Sequence, residues 1–396
     1  MSKIRVKHFG PIRQGRLDND GWIDIRKVTL FLGDQGTGKS TLAKVLATMT
    51  WMEKVLVRGD EQLQDMTKFD RFRELLKYHR LHNYFTPETE LNYIGRGVAI
   101  NCHKGEIDIK FSDDEYDLPQ VIYVPAERNF ISYVEQPELL KLASGALFEF
   151  LSEFDKAKRN LDQGWQLPFG DSFLERDEKT DYLTVSGEER KYKLRLSETS
   201  SGYQSSVPLL MVTRYLINSI NKKSDAGSLN DLVGELSPRQ FNTFKQKLSE
   251  LDAFFAYQNT KSEGNLNALA EQFISLTRKF KITHLINIVE EPEQNLYPDS
   301  QWKILESLLA SNNEFSANKL VMTSHSPYLI NVLSIAIQAD ALLKKLDKEY
   351  RDRTDLRKRV ENIFQPAAAT AAEGVAVYEL TLDGGVKPLR TLHGIP

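Results

Sequence analysis

One segment near the N-terminus constrains the fold most. Residues 28–49 read VTLFLGDQGTGKSTLAKVLATM, an apolar run, a glycine-rich turn and an amphipathic stretch. The run from Val28 to Leu32 predicts a buried strand, and the segment from Thr41 onward predicts a helix with one apolar stripe. The turn has the spacing Gly-x-x-x-x-Gly-Lys-Ser of a phosphate-binding loop, in the strand–loop–helix context that its chemistry requires.

Each residue type in this turn has a chemical reason. Its glycines let backbone N–H groups converge on an anion at the start of a helix. Lys39 offers a positive charge to the β- and γ-phosphates, and the Ser40 hydroxyl is a candidate Mg²⁺ ligand. We therefore expect ATP and Mg²⁺ as cofactors. The predicted nucleotide-binding residues are Gly33, Asp34, Gln35, Gly36, Thr37, Gly38, Lys39, Ser40 and Thr41.

A second apolar run ends in two adjacent acids. Residues 284–293 read HLINIVEEPE, with Glu290 and Glu291 side by side. A strand that runs out into solvated acids is one explanation, because burying either acid without a partner is costly. A phosphate-binding loop also needs an acid-ending strand nearby. In that case Glu290 is the metal-side acid, which holds Mg²⁺ through the water shell of the ion. Glu291 is then the general base that faces the attacking water.

Composition limits the class of protein. The 396 residues are 41% hydrophobic, which is enough for one large or two ordinary domains. The net charge of −3 gives no overall basic surface, so DNA binding would need a local patch or an assembly. A single cysteine, Cys102, excludes a disulfide framework. The charged start MSKIRVKHFG and the lack of a long apolar run predict a cytoplasmic protein without membrane contact.

Several further segments, taken in order, resemble a known family. They read IRVKHFGPIRQGRLD, YVPAERN, SSGYQSSVPLL, IVEEPEQNLYP and TSHSPYLIN, and they extend from residue 4 to residue 331. With the phosphate-binding loop, they resemble the ABC-type ATPase heads of SMC, Rad50, RecF and OLD-like proteins, in the compact bacterial branch labelled AAA_15 or AAA_21. The resemblance implies an α/β P-loop NTPase fold of ABC-ATPase type, with a mixed central sheet, a flanking antiparallel β layer and a helical insertion.

The same resemblance implies a domain organisation. We expect one ABC-type ATPase domain over residues 1–396. Helical and β insertions are expected at about 56–118 and 130–196, and a helical insertion at about 222–281.

The resemblance also assigns roles to individual residues. His325 matches the switch histidine that contacts the γ-phosphate, and Asn295 falls in the D-loop that crosses to a partner subunit. Lys39, Glu291 and His325 are then the catalytic set. An ordinary serine-capped helix and a structural histidine are the alternatives from the residues alone. The residues that align with the family's LSGGQ signature, which caps the γ-phosphate bound on a partner subunit, are Ser200, Ser201, Gly202 and Gln204.

Three departures from the family pattern stand out. The metal-side acid is normally Asp but is Glu290 here, one methylene longer. About 80 residues separate the signature from the acids, and this stretch holds the helical insertion, a usual place for partner binding. The position of the Q-loop glutamine is not identified. Glu127 and Arg128 follow a predicted strand, and they either lie near the nucleotide or a subunit interface or form an ion pair at the strand end.

Other segments bear on organisation. Residues 60–85 predict one amphipathic, partly basic helix, which either packs internally or forms a nucleic-acid patch. Residues 95–111 and 181–197 predict hairpins of the antiparallel layer. Cys102 and His103 are neighbours on one strand, so they face opposite sides and form no joint metal site.

The leading functional prediction is a slow ATPase that forms a homodimer or higher homo-oligomer around ATP. The chain shows no Cys-x-x-Cys hook, its insertion is too short for a long coiled-coil arm, and no TOPRIM-like acid cluster follows His325. It thus resembles the ATPase halves of PARIS, Septu and retron-associated antiphage systems, where nucleotide state controls a separate toxin or nuclease. The alternatives are a nucleotide-locked scaffold with little turnover and a RecF-like DNA-binding repair ATPase.

Overall fold

The computed structural model describes most of the chain. The described residues are 2–133, 145–161, 164–187, 192–225, 234, 236, 238–257, 273–274, 276–350 and 353–389. Parts of the insertions predicted at 130–196 and 222–281 lie outside them.

The strands of the described residues are β1 Ser2–Phe9, β2 Gly15–Arg16, β3 Trp22–Ile25, β4 Val28–Leu32, β5 Phe85–Ile94, β6 Val98–His103, β7 Glu106–Phe111, β8 Leu118–Val124, β9 Trp165–Gln166, β10 Phe173–Arg176, β11 Leu183–Ser186, β12 Lys193–Arg195, β13 Ile282–Glu290, β14 Lys319–Ser324, β15 Val375–Leu380 and β16 Gly385–Pro388. The α-helices are α1 Lys39–Arg58, α2 Leu63–Met66, α3 Phe69–Tyr78, α4 Gly145–Arg159, α5 Ser201–Asp225, α6 Pro238–Tyr257, α7 Pro298–Asn313, α8 Tyr328–Glu349 and α9 Thr354–Ile363. Short 3₁₀ segments are Ala126–Tyr133, Leu196–Glu198, Pro366–Ala368 and Ala372–Gly374.

A seven-stranded mixed sheet forms the centre, in the order β2-β16-β15-β4-β14-β13-β8. The five strands β15, β4, β14, β13 and β8 run parallel, and β16 pairs antiparallel with β15. Parallel strands end at one edge of the sheet, and ligands of open α/β sheets bind at that carboxyl edge. The glycine-rich loop after β4, the acids that end β13 and the histidine after β14 therefore meet at this edge.

Both faces of the central sheet are covered, which explains why its strands read as continuous apolar runs. Successive side chains of a strand point to opposite faces. Accordingly, Leu285 and Val289 of β13 join the core beneath α4, α5, α7 and α8, whereas Ile286 and Ile288 join the core that contains α1 and β1. The α/β fold class with a mixed central sheet is confirmed.

The antiparallel part consists of two separate sheets, where the sequence predicted one layer. A five-stranded sheet has the order β3-β1-β5-β6-β7, and a four-stranded sheet has the order β12-β11-β10-β9. The predicted hairpin at 95–111 is present: Lys104 and Gly105, with φ of 49° and 81°, form the two-residue turn between β6 and β7. Cys102 is buried and His103 exposed, as the alternation of the strand predicts.

The single helix predicted over residues 60–85 is wrong. Two shorter helices, α2 and α3, replace it, and α3 ends after Tyr78. There the amide of Leu81 bonds to the carbonyl of Leu76 at 2.9 Å, and that of Arg80, at φ 61°, bonds to Lys77 at 2.9 Å. This is a Schellman cap with arginine in the position that glycine usually takes, so sequence signals for helix ends miss it.

The helical insertion contacts the far end of the helix that begins at the glycine-rich loop. In α6, the Lys247 ammonium donates to the carbonyl of Arg58, the last residue of α1, at 3.2 Å. A cation at this position satisfies a terminal carbonyl and suits the negative end of the helix dipole. None of the helices in the described part of the chain combines the length and apolar character needed to cross a membrane.

Candidate nucleotide site

The glycine-rich loop has the backbone that its sequence predicts. Gly33 and Gly38 have φ of 141° and 100°, in the region that side chains rarely adopt. A Cβ on Gly33 would lie 2.3 Å from the carbonyl oxygen of Leu380, so a side chain there would collide with β15. Gly38 is the N-cap of α1, and the loop therefore delivers Lys39 and Ser40 into the first turn of that helix.

The ammonium of Lys39 is buried beneath the loop. It donates to the carbonyls of Gly33 and Asp34, both at 2.8 Å, and lies 3.3 Å from Nδ1 of His325. Burial lowers the pKa of Lys39, and the nearby carboxylate of Glu291 opposes that change. The three acceptors fix the direction of a positive charge at the point where phosphate would bind.

His325 connects Lys39 to the second acid. Its Nε2 lies 3.2 Å from Oε1 of Glu291, on the opposite side of the ring from Lys39. Since Lys39 can only donate, a neutral His325 accepts at Nδ1 and donates its Nε2 proton to Glu291. The structure thus brings the three predicted catalytic residues into one contact chain.

Glu293 holds the histidine in place. Its Oε1 accepts from the backbone N–H of His325 at 2.9 Å and from the Ser324 hydroxyl at 2.6 Å. Glu291 itself has φ of 45°, uncommon for a residue with a long side chain, while its N–H bonds to the carbonyl of Thr323 at 2.9 Å. Backbone strain of this kind tends to occur where a side chain must be aimed.

The first acid, Glu290, is turned into the protein. Its Oε1 accepts a hydrogen bond from the hydroxyl of Tyr123 and lies 3.6 Å from the Lys44 ammonium. Its Oε2 accepts from the N–H of Ala126 at 3.2 Å. Burial, and then the neighbouring carboxylate, raise the pKa of Tyr123 well above its ordinary value, so the hydroxyl stays protonated and donates.

This donor set is compatible with Mg²⁺. Oε2 of Glu290 accepts one bond and keeps acceptor capacity, and Ser40 contributes a hydroxyl at the start of α1. Within the described ranges, no group of three or more histidine, cysteine or acidic side chains could hold a metal ion. The metal roles of Ser40 and Glu290 stay predictions.

The side chain of Arg128 connects several backbone segments of the site. Its guanidinium is fully buried and donates to four backbone carbonyls: Pro125 at 3.2 Å, Ser205 at 2.9 Å, Glu290 at 2.6 Å and Glu291 at 2.5 Å. Burial lowers its pKa to about 10, still well above neutral pH. Among the described residues, Arg128 does not form the strand-end ion pair that was one interpretation of its role. The side chain instead joins the end of β13 to the start of α5.

The predicted signature lies at the start of α5, beside the predicted D-loop. Ser200 and Ser201 are exposed, whereas Gln204 is buried and donates to the carbonyl of Thr199 at 2.9 Å. A Cβ on Gly202 would lie 3.1 Å from the carbonyl of Asn295.

In the part of the chain that the structure describes, no hydrogen bond links Ser200 or Ser201 to Lys39, Glu291 or His325.

Sequence reasoning missed Lys44, Tyr123 and Glu293. Lys44 stands one helical turn after Ser40, so its position could have been derived from helical spacing. Tyr123 reaches Glu290 only because β8 pairs in parallel with β13, with Val124 opposite Val289. No local sequence pattern predicts the register in which β8 pairs with β13.

Comparison with known proteins gives one family and several solved structures. The AAA_21 family, described as "AAA domain, putative AbiEii toxin, Type IV TA system", matches residues 28–331. No curated protein matches the chain.

Three solved structures illustrate the likeness of fold. The SMC head domain from Thermotoga maritima is 10% identical, with 98% of each chain covered and a TM-score of 0.37. An SMC head bound to the C-winged helix domain of ScpA is 10% identical, with 98% of this chain and 96% of that chain covered and a TM-score of 0.39. A dimeric ATP-binding cassette in a post-hydrolysis state with ADP and Pi is 12% identical, with 99% and 100% covered and a TM-score of 0.31.

Proposed function

Since the chain belongs to the AAA_21 family, we propose that it binds and slowly hydrolyses ATP and that its nucleotide state controls a separate effector protein. The observation that carries the proposal is the contact chain from Lys39 through His325 to Glu291. A cation for phosphate, a carboxylate for water and an imidazole between them are the groups that phosphoanhydride hydrolysis needs.

Each residue then has a defined task. Lys39 exchanges its carbonyl acceptors for phosphate oxygens, and the loop N–H groups orient the anion. Glu291 accepts a proton from the attacking water, while the bond from Nε2 of His325 holds the carboxylate in position. His325 senses the γ-phosphate because its imidazole contacts Lys39, the residue that binds this phosphate. Mg²⁺ bound by Ser40 and Glu290 would neutralise phosphate charge.

We propose that the active assembly is a homodimer or a higher homo-oligomer. Ser200 and Ser201 are exposed, and no hydrogen bond among the described residues links them to Lys39, Glu291 or His325, so their hydroxyls can meet nucleotide on another copy. Tyr297, 79% exposed, and Tyr328, 49% exposed, flank the predicted D-loop and the histidine. Tyrosines at such positions are typical of surfaces covered by a partner. Asn295 would contact the partner from the same surface.

We propose that the effector is a toxin or nuclease encoded separately, in bacterial antiphage defence. The family description names a toxin and a two-component system. The hydrogen bond from Lys247 to the end of α1 supports the idea that bound nucleotide changes how the helical insertion is presented to a partner. Helix α1 starts at Lys39 in the nucleotide site and runs ~30 Å to this contact. A RecF-like DNA-binding ATPase and a nucleotide-locked scaffold are the other candidates.

The experiment that tests the proposal compares wild type, Lys39→Ala, Glu291→Gln and the exposed control Glu88→Gln. Steady-state hydrolysis, binding of labelled ATP and mass photometry are measured on each. We expect Glu291→Gln to bind ATP and stay assembled while its turnover falls ~10²-fold, the signature of a lost general base. Lys39→Ala should lose binding, and Glu88→Gln should match wild type.

The same measurements separate the alternatives. A wild type that binds ATP and assembles but never hydrolyses it would point to the scaffold. Turnover that DNA accelerates, with a steep dependence on salt, would favour the repair ATPase.

A further inference from the structure

We propose that a second ligand site lies at the opposite edge of the central sheet and binds a small molecule bearing a phosphate or carboxylate group. The strands β4, β13, β14 and β8 are parallel, so their amino ends meet at one edge, away from the glycine-rich loop. A cavity of about 510 Å³ opens there, and Lys27, His284 and Lys319 from the strand starts line it. This inference does not rest on the proposed ATPase function.

The cavity is lined by donors that lack acceptors. Lys319 begins β14. Within the described ranges its ammonium makes one hydrogen bond, to the Ser2 hydroxyl at 2.5 Å, although an ammonium carries three donors. Arg26 and Tyr116 also line the cavity. The buried Nε of Arg26 and the buried hydroxyl of Tyr116 have no hydrogen-bond partner among the described residues. Buried donors are nearly always satisfied, so these two unsatisfied donors, together with the partly exposed ammonium of Lys319 beside the same cavity, point to a ligand rich in acceptors.

Two of the three acids that line the cavity already have partners for their carboxylates. Glu53 accepts from the Tyr93 hydroxyl at 2.6 Å and from the Gly97 N–H at 2.7 Å. Asp117 faces Arg96 at 3.5 Å. Glu373, the third acid of the lining, offers its backbone carbonyl to Nη1 of Arg26 at 3.2 Å.

His284 adds no charge to the cavity, because burial lowers its pKa to about 4 and keeps the ring neutral. Lys27, for its part, donates to the backbone carbonyl of Phe315 at 2.9 Å. Apart from the Glu373 carboxylate, the remaining groups of the lining are cationic or neutral donors, and their complement is an oxyanion. Burial also lowers the pKa of Lys319 to about 8, and a bound anion would raise it again.

The volume of the cavity narrows the range of possible ligands further. Ligand pockets commonly measure a few hundred Å³ or more, and a cavity of about 510 Å³ holds far more than one phosphate ion. The fitting ligands are therefore acids of about mononucleotide size, with the phosphate or carboxylate directed at Lys319 and Tyr116. Inorganic phosphate and citrate represent the two possible head groups.

The test uses the full chain with its nucleotide loop disabled, so that the first site adds nothing. Thermal unfolding and calorimetric titration with inorganic phosphate, AMP and citrate are measured in Lys39→Ala alone and combined with Lys319→Met, Tyr116→Phe or the exposed control Lys345→Met. We expect at least one ligand to bind saturably to Lys39→Ala. Lys319→Met should weaken it by at least about tenfold, Tyr116→Phe should weaken it to a smaller extent, and Lys345→Met should leave it unchanged.

The ligand series distinguishes the two head groups: binding of AMP and phosphate but not citrate assigns a phosphate site, and the reverse assigns a carboxylate site. The proposal is overturned if none of the three binds to Lys39→Ala, or if Lys319→Met binds as tightly as its control. Neither result depends on whether the protein hydrolyses ATP.

Discussion

The guanidinium of Arg128 donates to the backbone carbonyl of Glu291 at 2.5 Å, so a fully buried cation fixes the peptide that carries the proposed general base. The same guanidinium reaches the carbonyl of Ser205 in the helix that starts at the predicted signature. Movement of α5 is thereby mechanically connected to the position of the Glu291 carboxylate.

Replacing Arg128 by Met should therefore reduce both stability and turnover. Four backbone carbonyls lose a charged donor, which should lower the free energy of unfolding by roughly 2–4 kcal/mol. Among molecules that remain folded, kcat should fall while KM for ATP changes little, because Glu291 is misaligned and Lys39 is untouched. Urea denaturation and steady-state kinetics measure both, with the exposed Arg359→Met as control. Unchanged kcat in folded protein would contradict the positioning role.

Tyr123 is expected to set the Mg²⁺ concentration that the protein needs for turnover. Tyr123→Phe removes the hydroxyl that orients Glu290 and leaves the ring in place, so the Mg²⁺ concentration for half-maximal turnover should rise about tenfold, the usual effect of losing such a partner. The matched control is Tyr378→Phe, which loses a hydroxyl that bonds to the backbone of Asp24. If both variants show the same Mg²⁺ dependence, Glu290 is not a metal-side acid.

His79 should make the protein sensitive to acid. Burial holds the pKa of His79 at about 3, below the ordinary 6.5, and its Nδ1 has no partner among the described residues. The unfolded chain therefore takes up this proton first, and the stability present above pH 6.5 is lost as the pH falls toward 3.

Between about pH 7.5 and pH 5 this loss amounts to about 2 kcal/mol. Urea denaturation at the two pH values should show that His79→Phe loses less stability than wild type by that amount. The exposed His103→Phe should behave like wild type. Equal losses in all three proteins would remove His79 as the cause.

Mixing two inactive variants tests whether the signature acts on a partner. Lys39→Ala keeps an intact signature, and Ser201→Arg, a change at an exposed position, keeps an intact loop. If dimers form at random, half of them pair one of each variant, and each such dimer has one intact site out of two. The mixture should regain about a quarter of wild-type activity. A mixture as inactive as its components would mean that loop and signature act within one chain.

Local chemistry explains which features the sequence could predict. The loop from Gly33 to Ser40 was predictable because strand, turn and helix signals lie within about twenty residues, and the Lys104–Gly105 turn has its own backbone preference. The contacts of Tyr123 with Glu290 and of Arg128 with Ser205 were not predictable, since these partners lie more than 70 residues away along the chain and only the tertiary fold brings them together. The end of α3 was missed because arginine occupies the left-handed position of its cap.

The cage of acceptors around Lys39 has a consequence for the end of the catalytic cycle. When the cleaved phosphate leaves, the Lys39 ammonium can donate again to the carbonyls of Gly33 and Asp34. Its positive charge is therefore not left without hydrogen-bond acceptors. A lysine that can retract in this way would favour escape of the cleaved phosphate. Free phosphate in the surrounding solution would compete poorly for the loop, and product inhibition would be weak.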